Sequence, residues 1–162
     1  MSVYLIGRSS SHFTRIARVF AHELGVAFEF SPVLDLMSRQ AGDFAGNPLL
    51  RLPILETPEG PWFGTLGICR ELARRSPLEA AGVIWPEDLP QRMAANTQEL
   101  VLQGMATEVS LVMGAAAGTS PNDAYRAKQQ DSLQNALDWL EQHAPAVVAS
   151  LPQTRRISFL EV

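Results

Sequence analysis

Few residues in this sequence are suited to chemistry, and they gather in its first half. Three consecutive serines, Ser9, Ser10 and Ser11, follow the apolar run "VYLIG" (3–7) and precede a helical pattern. A hydroxyl at that point is an ordinary helix N-cap, or it serves an anion held where first-turn amides and the positive end of the helix dipole converge. Thr65 likewise opens a helical line of Leu66, Cys69 and Leu72. Between them, "NPLLRLPIL" (47–55) sets Pro53 into a strand-like stretch. Proline has no amide hydrogen for a ladder and is confined to edges, strand starts and bulges. Either the strand begins at Pro53, or a cis bond after Leu52 leaves the Leu52 main chain bare for the peptide groups of a ligand.

The remaining candidates mostly exclude functions. The single cysteine, Cys69, rules out an internal disulfide, and three histidines scattered at positions 12, 22 and 143 make a zinc cluster a poor reading, so no metal is expected. Cys69 lies on the apolar line of its helix and reads as core. With 13 Lys and Arg against 17 Asp and Glu, and no basic run longer than a pair, there is no electrostatic footprint for nucleic acid or an anionic membrane. No window approaches the ~18 apolar residues of a membrane span, and the opening is too short for a signal sequence. A cytoplasmic protein is expected.

The elements that must position these residues follow from periodicity. "VYLIG" is a buried strand; Phe13, Ile16, Phe20 and Leu24 then recur at helical spacing until Gly25, and "VAFEF" (26–30) is a second strand, parallel to the first. Residues 32–50 read as a short irregular helix and a loop. "PILET" (53–57), a turn over 58–60 and "PWF" (61–63) read as a hairpin, and a helix starts at Thr65. Pro, Gly and acidic residues then mark a linker, followed by two long helices, about 89–113 and 122–148, made antiparallel neighbours by their short connection. The expected fold is an α/β thioredoxin-like domain (βαβ-ββα, mixed four-stranded sheet) at 1–76, a linker at 77–88, and an all-α domain of at least two long antiparallel helices at 89–162.

With these elements in order, the sequence resembles the cytosolic glutathione transferase superfamily. "SHFTRIARVFAHELGVAFE" (11–29) is similar to the family's first turn and helix, "NPLLRLPIL" to its Asn-Pro-x-Gly-x-Val-Pro-x-Leu segment, in which the proline is cis, and "FGTLGICREL" (63–72) to its strand-to-helix junction. The resemblance implies that glutathione is a co-substrate, its cysteinyl backbone pairing with Leu52 beside Pro53. It further implies that its γ-glutamyl carboxylate meets Thr65, that Gly64 stands at the position beside its amino group, that its glycyl carboxylate meets Arg51, and that its thiolate meets Ser11, with Ser9 and Ser10 as alternatives. The implied function is conjugation or reduction of a small hydrophobic electrophile by a homodimer. The alternative is a non-catalytic thioredoxin-fold module that has lost the ligand.

Departures from the family pattern qualify that implication. His12 replaces the usual proline, Leu50 a frequent glycine, and Gly64 an acid or amide whose loss leaves the ligand's amino group short of one partner, a deficit of about 1–3 kcal/mol where that group is desolvated. Ser11 could contribute only modestly through thiol acidity. Lowering a thiol pKa by ~2 units raises the thiolate fraction at neutral pH roughly 25-fold, and lost nucleophilicity returns about tenfold. Proximity to the electrophile must supply the rest. Trp62 and Phe63 are expected in the core or at a subunit interface. "SFLEV" (158–162) resembles a Ser-x-x-Asp capping box opening a further buried helix, so the helical domain reads as incomplete.

Overall fold

A computed structural model of the chain describes residues 3–78, 82–89 and 91–162. The chain divides into two compact units, residues 1–83 with Val162, and residues 84–161.

The first unit has the expected mixed four-stranded sheet. Its strands β1 (Val3–Gly7), β2 (Phe28–Pro32), β3 (Ile54–Thr57) and β4 (Gly60–Phe63) lie in the order β2-β1-β3-β4. β1 runs parallel to β2, and β3 runs antiparallel to both β1 and β4. β2 begins two residues later than the sequence reading and runs on to Pro32, its Phe28, Glu29 and Phe30 standing level with Val3, Tyr4 and Leu5. Along β1, Val3, Leu5 and Gly7 are buried while Tyr4 is exposed, so one face of the sheet is covered and the other meets solvent.

The covering layer is two helices that pack on one another, α1 (His12–Glu23) and α2 (Thr65–Arg75), α2 also touching β3 and β4. Ile16, Ala17, Phe20 and Ala21 form the buried stripe of α1, and Ile68, Cys69, Leu72 and Ala73 that of α2. With Leu5, Ile54 and Leu55 they make the core, each large side chain contributing about 1.5–3 kcal/mol of burial. Cys69 is fully buried, as its place on the apolar line suggested. Trp62 and Phe63 are not core: they are 36% and 41% exposed on the edge strand, and the Arg74 guanidinium lies 4.9 Å from the Trp62 ring centre. The irregular helix expected within 32–50 reduces to a 3-10 turn, Ala41–Phe44, anchored by buried Phe44.

The second unit is built on α3 (Arg92–Ala116) and α4 (Ala124–Ser150). Ala94 near the start of α3 clusters with Val147 and Leu151 at the end of α4 and with Leu160, which makes the helices antiparallel. α3 ends three residues and α4 two residues beyond the expected ends, and α4 carries Pro145 within it. Val112 on α3 and Leu137 on α4 are 55% and 52% exposed. Part of the expected linker is structured, as β5 (Val83–Ile84) and a 3-10 turn at Pro86–Asp88, while residues 79–81 of it lie outside the described residues. β5 pairs with β6 (Ile157–Ser158). The helix expected after Ser158 is one turn. One capping-box bond is nonetheless made, Glu161 Oε1 accepting the Ser158 amide, while Ser158 Oγ accepts the Leu160 amide and the Ser158 carbonyl accepts that of Glu161. Among the described residues, no helix is long and apolar enough to cross a membrane.

Candidate functional site

Strand register gathers the expected site segments at one end of the sheet. The last β1–β3 pair is Ile6 with Ile54, and continuing that register sets Gly7 level with Pro53 and Arg8 level with Leu52. The last β3–β4 pair is Ile54 with Phe63, and its continuation sets Gly64 level with Pro53 and Thr65 level with Leu52. The turn into α1, the Leu52–Pro53 segment and the start of α2 therefore share one edge, all within the first unit.

At the α1 turn, Ser11 is the N-cap, with extended backbone, and its Oγ accepts the Thr14 amide at 3.3 Å. The N-cap role is thus real, and it leaves the hydroxyl's own proton for another acceptor. Ser11 is half-buried, whereas Ser9, Ser10 and His12 are exposed. Thr14 is fully buried against Gly7, where a Cβ would stand 2.5 Å from Thr14 Cγ2, so only glycine lets the strand end and the helix start approach. The Arg8 guanidinium donates to the Leu34 carbonyl at 2.8 Å, tying this turn to the loop after β2.

The Leu52–Pro53 peptide is cis, and Pro53 is buried. Among the described residues, none hydrogen-bonds the amide or the carbonyl of Leu52. Arg51 is exposed, and no ion pair engages it among the described residues. Asn47, which the sequence marked only as part of a motif, is 4% exposed and bonded on both sides of its carboxamide. Asparagine before a proline signals a turn, but nothing in the sequence tells which main-chain groups its side chain will reach.

At α2 the sequence reading needs correction. Thr65 is the first helical residue rather than the cap; Gly64 is the N-cap, at φ 80° and ψ 131°, and no side chain caps the helix. The first-turn amides of α2 are thus open to an anion. The backbone accounts for glycine at 64: a positive φ with extended ψ is territory that other residues enter only with strain, although a Cβ there would meet nothing within 4 Å.

Residues 10–75 match the family model described as "Glutathione S-transferase, N-terminal domain". This segment is thus similar to a glutathione S-transferase N-terminal domain. Solved structures resemble the chain over both units. A glutathione S-transferase from Methylobacillus flagellatus KT with glutathione bound is 23% identical, with a TM-score of 0.63 over 87% of this chain and 69% of that one. One from Methylobacterium radiotolerans in complex with glutathione sulfonate is 21% identical, TM-score 0.65, over 88% and 66%. A glutathione transferase family member from Pseudomonas fluorescens Pf-5 with bound glutathione is 22% identical, TM-score 0.67, over 92% and 75%. At this identity the likeness is one of fold, and the chain spans two thirds to three quarters of those proteins' lengths. No curated protein matches the sequence.

Two recesses are lined by other residues. One, of about 550 Å³, is lined by Ile6, Val33, Leu34 and Asp43; the other, of about 740 Å³, lies between α3 and α4 beside Leu100, Gly104, Leu133 and Trp139. Ser11, Leu52 and Thr65 line neither.

Proposed function

We propose that this chain binds glutathione at the edge shared by Ser11, Leu52 and Thr65 and uses its thiolate to conjugate or reduce small hydrophobic electrophiles. The observation that carries the reading is the open main chain of Leu52, set by register beside two helix N-termini. An extended peptide pairs with such a segment as with a strand edge. Its γ-glutamyl carboxylate then accepts from the uncapped amides of α2, its glycyl carboxylate pairs with exposed Arg51, and its sulfur takes the free proton of the Ser11 hydroxyl as a hydrogen bond. That bond favours thiolate over thiol. In conjugation the sulfur lone pair forms the new C–S bond, and the leaving group departs with its electron pair. Structural neighbours crystallised with glutathione support the choice of ligand.

Gly64 favours a second reading, a non-catalytic thioredoxin-fold module, because it offers no side chain to the ligand's amino group. Calorimetric titration of reduced glutathione separates the two. Binding in the micromolar to millimolar range is expected, with Ser11→Ala leaving affinity within about threefold while raising the pKa of the bound thiol, read from thiolate absorbance, by about one unit. No heat at millimolar glutathione would leave the second reading standing.

A further inference from the structure

The loop leading to Leu52 is held in a costly shape. Ala45 and Leu50 have φ of 47° and 53°, left-handed conformations that a non-glycine residue enters only with strain. Such a shape persists only where its surroundings over-determine it, and the buried carboxamide of Asn47 supplies that constraint. Its Oδ1 accepts the Leu49 amide at 3.0 Å, and its Nδ2 donates to the Arg51 carbonyl at 2.8 Å. Its own carbonyl accepts the Leu50 amide at 3.0 Å, and its amide donates to the Phe44 carbonyl at 2.9 Å. Exchanging oxygen and nitrogen in the carboxamide would set donor on donor and acceptor on acceptor, so its orientation is fixed by its partners.

The bond to Arg51 has a consequence one atom further along. The Arg51 carbonyl and the Leu52 N–H belong to one planar peptide unit, which is trans because the cis bond lies after Leu52. In a trans peptide the two groups point in opposite directions. Holding the carbonyl on Asn47 therefore turns the Leu52 N–H away from the loop interior, toward the side on which none of the described residues pairs with it.

We propose that Asn47 is a positioning residue: its carboxamide locks the Arg51–Leu52 peptide plane so that the Leu52 N–H is presented outward to the main chain of a bound peptide. This rests on the reading that Leu52 is the ligand contact, and it adds the residue that makes Leu52 competent. Asn47→Asp keeps the acceptor for Leu49 but turns an oxygen on the Arg51 carbonyl. When ionised that oxygen repels the carbonyl; when protonated it donates as the amide did. Asn47→Ser keeps a short acceptor for Leu49 and cannot reach Arg51.

Reduced glutathione is titrated into the wild type and both variants near pH 7.5 and near pH 5, with circular dichroism to verify the fold. The Leu52 amide resonance is followed without ligand at both pH values. Relative to the wild type at the same pH, whose own affinity falls toward pH 5 as the bound thiolate is protonated, the expected Kd is about tenfold higher in Asn47→Asp near pH 7.5 and within about threefold near pH 5, and higher by the same factor at both pH values in Asn47→Ser. The Leu52 resonance of Asn47→Asp should move and return over the same interval. An Asn47→Asp Kd within twofold of wild type, or a loss indifferent to pH, overturns the proposal. Where the wild type binds no glutathione, the functional reading fails by itself, and the Leu52 resonance still decides whether Asn47 locks the plane: no pH-dependent movement overturns it.

Discussion

Gly64 shows how one residue joins backbone cost to ligand chemistry. Its φ of 80° suits glycine, and the Cβ of any other residue would stand in open space, so the whole penalty of a substitution is conformational. Gly64→Gln is expected to cost about 1–2 kcal/mol of stability, read as a lower denaturation midpoint at unchanged slope. If glutathione binds as proposed, the same change restores a partner for its amino group and tightens binding by about tenfold. Opposite signs in the two measurements distinguish a site residue from a merely tolerated turn; lost stability with no gain in affinity would remove position 64 from the site. Ser11 carries a similar double load, as helix cap and as hydroxyl donor, so its substitution has to be read by thiol acidity rather than by stability alone.

At the scale of elements, strands and helices with strong periodicity were legible in the sequence, because the stripe that defines α1 or α2 is the stripe that is buried. Three features were not. The cap of α2 fell on Gly64 rather than Thr65, since a propensity for hydroxyl caps says nothing about a backbone already turned to positive φ. The Glu161 side chain reached back to the Ser158 amide without a helix following, because that bond is local to one turn. In the ion cluster at the far end of α2, where nearly buried Glu71 accepts from Arg74 at 2.8 Å and Arg75 at 2.6 Å, the partner that was not legible is Glu59, which reaches Arg75 from the distant β3–β4 turn. The Arg75 hydrogen bond holds the exposed Glu59 carboxyl below its ordinary 4.5. A depressed folded pKa contributes stability that is present above the unfolded value and lost as pH falls through the folded one. Glu59→Gln should therefore unfold slightly more easily than wild type at neutral pH, with the difference shrinking below pH 4.5 and in high salt, as chemical denaturation across pH will show. A difference that persists in strong acid would place the effect in packing instead.

For the molecule as a whole, the decisive quantity is the number of thiols. The chain has one cysteine, and it is buried in the core of the first unit, where desolvation pushes its pKa well above the ordinary 9.0. A thiol held protonated and out of water is a poor nucleophile, so any thiol chemistry at the sheet edge has to come from a bound small thiol. Two outcomes follow from that one placement. With an aromatic disulfide reagent, the native protein should stay silent while the denatured chain titrates one thiol, so reagent uptake reports opening of the core around α1 and α2. Cys69→Ala should cost about 1 kcal/mol through lost packing and leave glutathione-dependent turnover within about twofold. Turnover that disappears with Cys69 while glutathione still binds would transfer the chemistry from the edge at Ser11 to the interior, and the proposed role of the serine would fall with it.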